Sequence, residues 1–236
     1  MYQNQLIMKE PLSEEVLMYI ASQLSKPEGA DGILTAERMA HTNNNMTNAA
    51  IKALNIVDKN VVLEIGPGNG RHVMHLMSTA AGLRYYGVDI SDTMITEAHK
   101  INERIVSSGQ VSFGLTSAAQ LNFTAGFFDR ILTVNTLYFW ENPLLYAREV
   151  LRVLKPGGVF CLAIATAAFM KGLPFTKYKF KLYEKMEVEQ LLKTAGFAIL
   201  NIVEEKDLTT SHTGDEVDRD IILVTATKDK RLKNKS

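Results

Sequence analysis

From Val61 onward, short apolar runs alternate with longer amphipathic ones, and this alternation limits the fold more than any other feature of the chain. VVLEI reads as a strand and GRHVMHLMSTAA as the helix after it. LRYYGVDI and SDTMITEAHKINERIVSSG repeat the pair, as do DRILTVN with PLLYAREVLRVL and GVFCLAIA with EVEQLLKTAG. Between them, QVSFGL reads as a strand followed by a short turn or helix near SAAQL. Strands that alternate with helices pair in parallel through right-handed crossovers, which puts helices on both faces of one α/β sheet. FAILNIVEE and RDIILVTATK follow each other without a helix between them, so they predict a hairpin with one antiparallel strand.

The residues before Val61 read as helical. Ser13 is placed to cap EEVLMYIASQL, whose acids sit in the first turn, where the helix dipole favours them. SKPEGADG breaks that helix. ILTAERMAHTNNNMTNAAIKALNI then offers two short helices around an asparagine run, with Asn45 or Thr47 as the cap. The expected organisation is a helical extension or lid over 1–50, a core domain over 51–227 and a basic, solvated tail over 228–236. A length of 236 residues suits one sizeable core, and a formal net charge of zero gives no general attraction to nucleic acid or to an anionic membrane. There is neither a signal-peptide pattern nor an apolar run long enough to span a bilayer, so a cytoplasmic protein is expected. Cys161 is alone, which rules out an intrachain disulfide and a multi-cysteine metal site.

VVLEIGPGNG carries the chemistry. Gly66, Gly68 and Gly70 allow a sharp turn and close approach of a ligand to the backbone, and helix N-terminal amides follow. A dinucleotide fingerprint needs its third glycine one residue later, where Arg71 stands. Glu64 is the sharper clue, because a carboxylate repels a pyrophosphate and attracts an ammonium or sulfonium. S-adenosylmethionine carries both cations and no phosphate. In YGVDIS, Asp89 stands at the end of the next strand, where an acid accepts both ribose hydroxyls, and Ile90 would lie against the adenine. Pro67 in the turn and Met94 in the next helix join this candidate set.

At these residues the chain resembles the class I S-adenosylmethionine-dependent methyltransferases. The resemblance runs from about Asn43 to Thr227 through VLEIGPGNG, YGVDIS, FFDRILTVNTLYFW and REVLRVLKPGGVF, the last much like the branch that includes quinone-biosynthesis methyltransferases acting on small molecules. It implies a Rossmann-like seven-stranded sheet of order 3-2-1-4-5-7-6, strand 7 antiparallel. It also implies Glu64, Gly66, Gly68 and Gly70 around the methionine moiety, Asp89 on the ribose, Ile90 on the adenine, and Asn135 and Thr136 bordering the methyl donor. Many relatives carry Asp-Ala after the third strand; here the pair is Ser117-Ala118, so a hydroxyl or backbone amide takes over the adenine contact. S-adenosylhomocysteine would be the product, and no metal is implied.

The expected reaction is displacement at the sulfonium methyl by a small acceptor. The aromatic and methionine side chains of NTLYFW (135–140) and TAAFMKGLPFTKYKF (166–180) suggest an apolar or aromatic one. His41 is the first candidate for a general base, with Tyr138 and Tyr178 beside it. His72 and His75 share a helix face, but nothing nearby completes a metal site. RNA or protein methylation and a non-catalytic cofactor-binding role are the alternatives, nucleic acid being disfavoured by the charge balance. A monomer or homodimer is expected.

Overall fold

The computed structural model describes residues 12–210 and 216–229. The first eleven residues, and all but the first two of the expected basic tail, lie outside them. The helices are α1 (Glu14–Ser25), α2 (Gly29–Thr42), α3 (Asn44–Ala53), α4 (Val73–Ser78), α5 (Asp92–Ile101), α6 (Glu103–Ser107), α7 (Pro143–Val153), α8 (Ala167–Lys171) and α9 (Lys185–Ala195). The strands are β1 (Val61–Ile65), β2 (Arg84–Asp89), β3 (Val111–Leu115), β4 (Phe128–Val134), β5 (Leu154–Ala165), β6 (Ala198–Thr210) and β7 (Glu216–Thr227). Across the sheet they run β3-β2-β1-β4-β5-β7-β6, with β7 antiparallel to both neighbours and the pairings from β3 to β5 parallel. This is the Rossmann-like order that the resemblance implied.

β1 is buried along its whole length, as expected of a strand covered on both faces. The core gathers Val62, Leu63, Phe128, Ile131, Leu132, Phe160 and Leu162 with the inner faces of α7 and α9. α3 belongs to it through Met46, Ala50 and Ile51, whereas the buried residues of α1 and α2, Leu17, Ala21 and Ala36, stand outside that cluster. Gly158, near the start of β5 where its register with β4 shifts, permits close approach: a Cβ there would meet Leu154 Cδ1 at 2.7 Å and the Asp129 carbonyl at 3.0 Å.

Ser13 caps α1 as expected, accepting from the Val16 N–H at 3.4 Å. Other local expectations are corrected. The asparagine run is capped at neither Asn45 nor Thr47: α3 starts at Asn44 with Asn43 as its N-cap, and Asn45 Nδ2 donates to the Leu208 carbonyl at 2.7 Å. The helix expected over 91–109 is interrupted at Asn102, whose Nδ2 donates to the carbonyls of Ala98 and Gly70, both at 3.0 Å. Lys228 is not a solvated tail residue. Its ammonium donates to the carbonyls of Arg152 (3.3 Å) and Leu154 (3.1 Å), and its carbonyl accepts from Gly157.

β6 and β7 run further than the sequence pattern suggested. β7 pairs with β5 only from Ile221 to Thr227, while its pairing with β6 extends to Glu216. Residues 206–210 and 216–220 therefore form a two-stranded arm that projects past β5 toward the joint between α2 and α3.

Candidate functional site

β1 lies between β2 and β4, where successive crossovers diverge, and its carboxyl end is the position at which open α/β sheets hold ligands. The glycine turn occupies this point with Gly66, Gly68 and Gly70 at φ of 73°, 57° and 64°. Only glycine adopts such values without strain. At Gly66 a side chain would also overlap the Thr136 methyl, and at Gly70 it would meet Asn102 Nδ2 at 3.0 Å. Above Gly68 nothing lies within 4 Å of where a Cβ would be, so this part of the turn is bare backbone.

Glu64 is 2% exposed and still borders a cavity. Its Oε2 takes the Tyr85 hydroxyl and His72 Nε2, each at 2.7 Å, while Oε1 has no hydrogen bond within the described residues. Burial works to lower the His72 pKa, but the charge and hydrogen bond of Glu64 outweigh it and the net shift is upward. Burial, with Glu64 adding to it, raises Tyr85 well above the ordinary tyrosine range, so its hydroxyl stays a donor.

Asp89 accepts from the Gly68 N–H at Oδ2 (3.2 Å) and from the Ser91 N–H at Oδ1 (2.9 Å). Burial pushes its pKa up to about 6 against those backbone donors, and Glu64 contributes in the same direction. No ion pair to a cation offsets it among the described residues. Ser91 caps α5 through its hydroxyl, which also donates to the Pro27 carbonyl, and the Gly29 N–H donates to Thr93 Oγ1 at 3.2 Å. The link between α1 and α2 is thereby pinned beside the Asp89 corner.

On the other side, Asn135 is held at φ 56°, its Oδ1 accepting from the Tyr138 hydroxyl (3.2 Å) and the Ala165 N–H (3.3 Å) and its Nδ2 donating to Asn43 Oδ1 (3.1 Å). Thr136 Oγ1 is shared by Trp140 Nε1 and the Thr133 hydroxyl. A cavity of about 280 Å³ lies between the glycine turn and α2–α3, bordered by Glu64, Gly66, Pro67, Gly68, His72 and Asn43. A second, of about 410 Å³, shares Ala40, Asn44 and Arg71 with the first and reaches the arm at Leu208, Thr209, Thr210 and Glu216.

Ile90 is 45% exposed at the end of β2. Ser117 Oγ accepts from the Ala119 N–H at 3.0 Å and donates to the Tyr146 hydroxyl at 3.4 Å, and Ala118 is buried. Met94 is fully covered and lines neither cavity. Tyr138 is unsuited to act as a base: its hydroxyl is 3.0 Å from the Ala165 carbonyl, and burial raises its pKa strongly. Tyr178 lines neither cavity, whereas His41 is exposed in the wall of the second. The aromatic residues expected around an acceptor pack on one another, Phe139 on Phe180 at 4.6 Å and Phe175 on Phe180 at 5.9 Å between ring centroids. His72 is the site residue that sequence reasoning passed over. No group of three or more His, Cys, Asp or Glu suited to a metal occurs among the described residues.

The donor set fits a cationic, phosphate-free adenosyl ligand. Two neighbouring buried carboxylates face a bare glycine turn, an arrangement that opposes a pyrophosphate and favours an ammonium beside Glu64 Oε1. The model of the family described as "Methyltransferase domain" matches residues 63–162. The O-methyltransferase resE of Aspergillus sclerotiorum is 26% identical over 155 residues, covering 62% of this chain and 58% of that protein. The 2-methyl-6-phytyl-1,4-hydroquinone methyltransferase of Synechocystis sp. is 28% identical over 102 residues, 43% of this chain and 31% of that one. A chain of the complex between the Haloferax volcanii Trm112 methyltransferase activator and a methyltransferase superposes with a TM-score of 0.70 at 17% identity, over 89% of this chain and 97% of that chain. This last likeness concerns the fold. Residues 63–162 therefore match a methyltransferase domain, and the sheet around them has the fold of the class I S-adenosylmethionine-dependent methyltransferases. The chain spans little more than half the length of the fungal relative.

Proposed function

We propose that the protein transfers a methyl group from S-adenosylmethionine to a small polar acceptor, with the cofactor's amino-acid end in the first cavity and the acceptor entering by the second. The observation that carries this reading is the pair of buried carboxylates on consecutive strand ends: Glu64, which borders the cavity with both its hydrogen bonds taken at Oε2, and Asp89, bound to the glycine turn. When bound, S-adenosylmethionine supplies an electrophilic methyl on a sulfonium, so the chain's task is binding, alignment and exclusion of water. Glu64 Oε1 would take the ammonium, Asp89 the ribose hydroxyls, Ile90 one face of the adenine, and the amides after Gly70 the carboxylate. Asn135 and Thr136, both fixed by their own hydrogen bonds, would border the reacting centre.

An apolar acceptor loses its support, because the aromatic residues of 135–140 and 166–180 pack together and the second cavity presents Glu37, His41, Thr42, Asn44, Asn45 and Arg71 instead. An acceptor hydroxyl or amine suits such a wall, with His41 able to take its proton. Ala36, Met39 and Asn43 of the helical extension line the first cavity, which supports a lid role for it.

Calorimetry with S-adenosylhomocysteine, NADH and ATP tests the cofactor, and binding of NADH or ATP alone would sink the reading. A panel of hydroxyl- and amine-bearing acceptors, followed by release of S-adenosylhomocysteine, tests turnover. With an acceptor in hand, His41→Ala should lower kcat by about 10²–10⁴-fold while leaving cofactor affinity unchanged.

A further inference from the structure

Arg219, on β7, is 6% exposed, and its partner Asp207 on β6 is equally covered. The guanidinium donates to Asp207 through Nε at 3.0 Å and again through Nη2. A pair of this kind would suffice to hold the arm together. The remaining donors, however, leave the arm. Nη1 donates to Asn43 Oδ1 at 2.8 Å and Nη2 to the Thr42 carbonyl at 3.0 Å, 176 and 177 residues away in sequence. Thr42 and Asn43 form the joint between α2 and α3. Two further bonds cross at the same place, from Thr209 Oγ1 to the Thr42 carbonyl (2.6 Å) and from Asn45 Nδ2 to the Leu208 carbonyl (2.7 Å).

Asn43 Oδ1 accepts from Arg219 and also from Asn135 Nδ2. Asn135 is the left-handed residue after β4, and its other side-chain atom is tied to Tyr138 and Ala165. The chain Asp207–Arg219–Asn43–Asn135 thus connects the arm to the α2–α3 joint, where Asn43 borders the first cavity, and to the residue that follows Val134 in the same cavity's wall. Arg219 is also close enough for its charge to be felt at the Tyr138 hydroxyl.

We infer that Arg219 is a positioning residue: it latches the α2–α3 joint over the cofactor cavity and orients the Asn135 amide, so that the arm, and not the sheet alone, sets the shape of the site. A planar guanidinium suits this role, since it serves a carboxylate, an amide oxygen and a carbonyl at once in fixed directions, which a lysine ammonium on a flexible stem does not. The inference rests on the cofactor reading above.

The test is built to separate folding from positioning. Removing Arg219 alone would strand a buried carboxylate, whereas replacing a buried ion pair by apolar residues of similar volume is often neutral for stability. The double variant Asp207→Leu/Arg219→Met therefore keeps the strands packed and deletes the latch. In the full chain it should melt within a few degrees of wild type, bind S-adenosylhomocysteine at least tenfold more weakly, and show faster amide hydrogen exchange over 40–48 with β1 and β4 unchanged. Arg219→Lys, which keeps the charge pair but not the fork, should fall between the two. Should the double variant fail to fold, Asn43→Ala leaves the Asp207–Arg219 pair intact and should reproduce the affinity loss and the local exchange. Unchanged affinity and exchange in the variants that fold would overturn the latch. Failure of the wild-type chain to bind S-adenosylhomocysteine would instead overturn the cofactor reading.

Discussion

Asp89 is buried and feels the charge of Glu64, with no cation paired to it among the described residues, an arrangement that costs the protein stability. The sign follows from the raised pKa. Below about pH 4 the carboxyl is protonated in both folded and unfolded chains and carries no penalty. As pH rises through about 6 the folded chain must ionise it, and stability falls by at most about 3 kcal/mol. Asp89→Asn should therefore raise the melting temperature at pH 7.5 by several degrees, with the gain vanishing near pH 4, while S-adenosylhomocysteine affinity drops at least tenfold. Thermal melts at the two pH values and calorimetry decide it; a destabilised variant at pH 7.5 would mean that the backbone hydrogen bonds to Asp89 outweigh its burial. Glu64 governs His72 in the opposite sense. Glu64→Gln should bring the His72 titration, followed by NMR, below its usual midpoint, since burial then acts without the opposing charge. Glu64 and Asp89 were legible in the sequence because strand ends and glycine turns place them by local rules. His72 was not: it meets Glu64 eight residues away only after three left-handed glycines have folded the chain back, which no periodicity reports.

The first two helices and the third differ in what they hold. α3 contributes Met46, Ala50 and Ile51 to the main core, while α1 and α2 dock on the α5 end through Pro27 and Gly29. A chain beginning at Asn43 should retain a cooperative melt and lose most of its affinity for S-adenosylhomocysteine; loss of cooperative folding would show that α1 and α2 belong to the core. The strand–helix alternation revealed nearly every element from Val61 on, because the central strands β1 and β5 are largely buried and the helices between strands are amphipathic. The arm escaped notice for the converse reason. Its residues are largely exposed and polar, with Asp207 and Arg219 buried against each other and the α2–α3 joint. The aromatic residues of 135–140 and 166–180 pack largely on one another, since a side chain fit to line a cavity is equally fit to fill one.

Over the whole molecule the balance of 26 basic and 26 acidic residues leaves no net field to gather a polyanion. Mixed with RNA or duplex DNA fragments at physiological salt, the protein should show no retention in a gel-shift assay; tight, salt-sensitive binding would point to a nucleic-acid acceptor. No helix among the described residues is long and apolar enough to cross a membrane. The order of strands has a further consequence for how the protein is made. β7 sits between β5 and β6 yet leaves the ribosome after both. A nascent chain that has reached Thr210 therefore carries thirteen residues of β6 with no neighbour to pair with, and β5 is left as an open margin of the growing sheet. During that interval β6 and the unpaired side of β5 are the backbone most open to pairing with another chain.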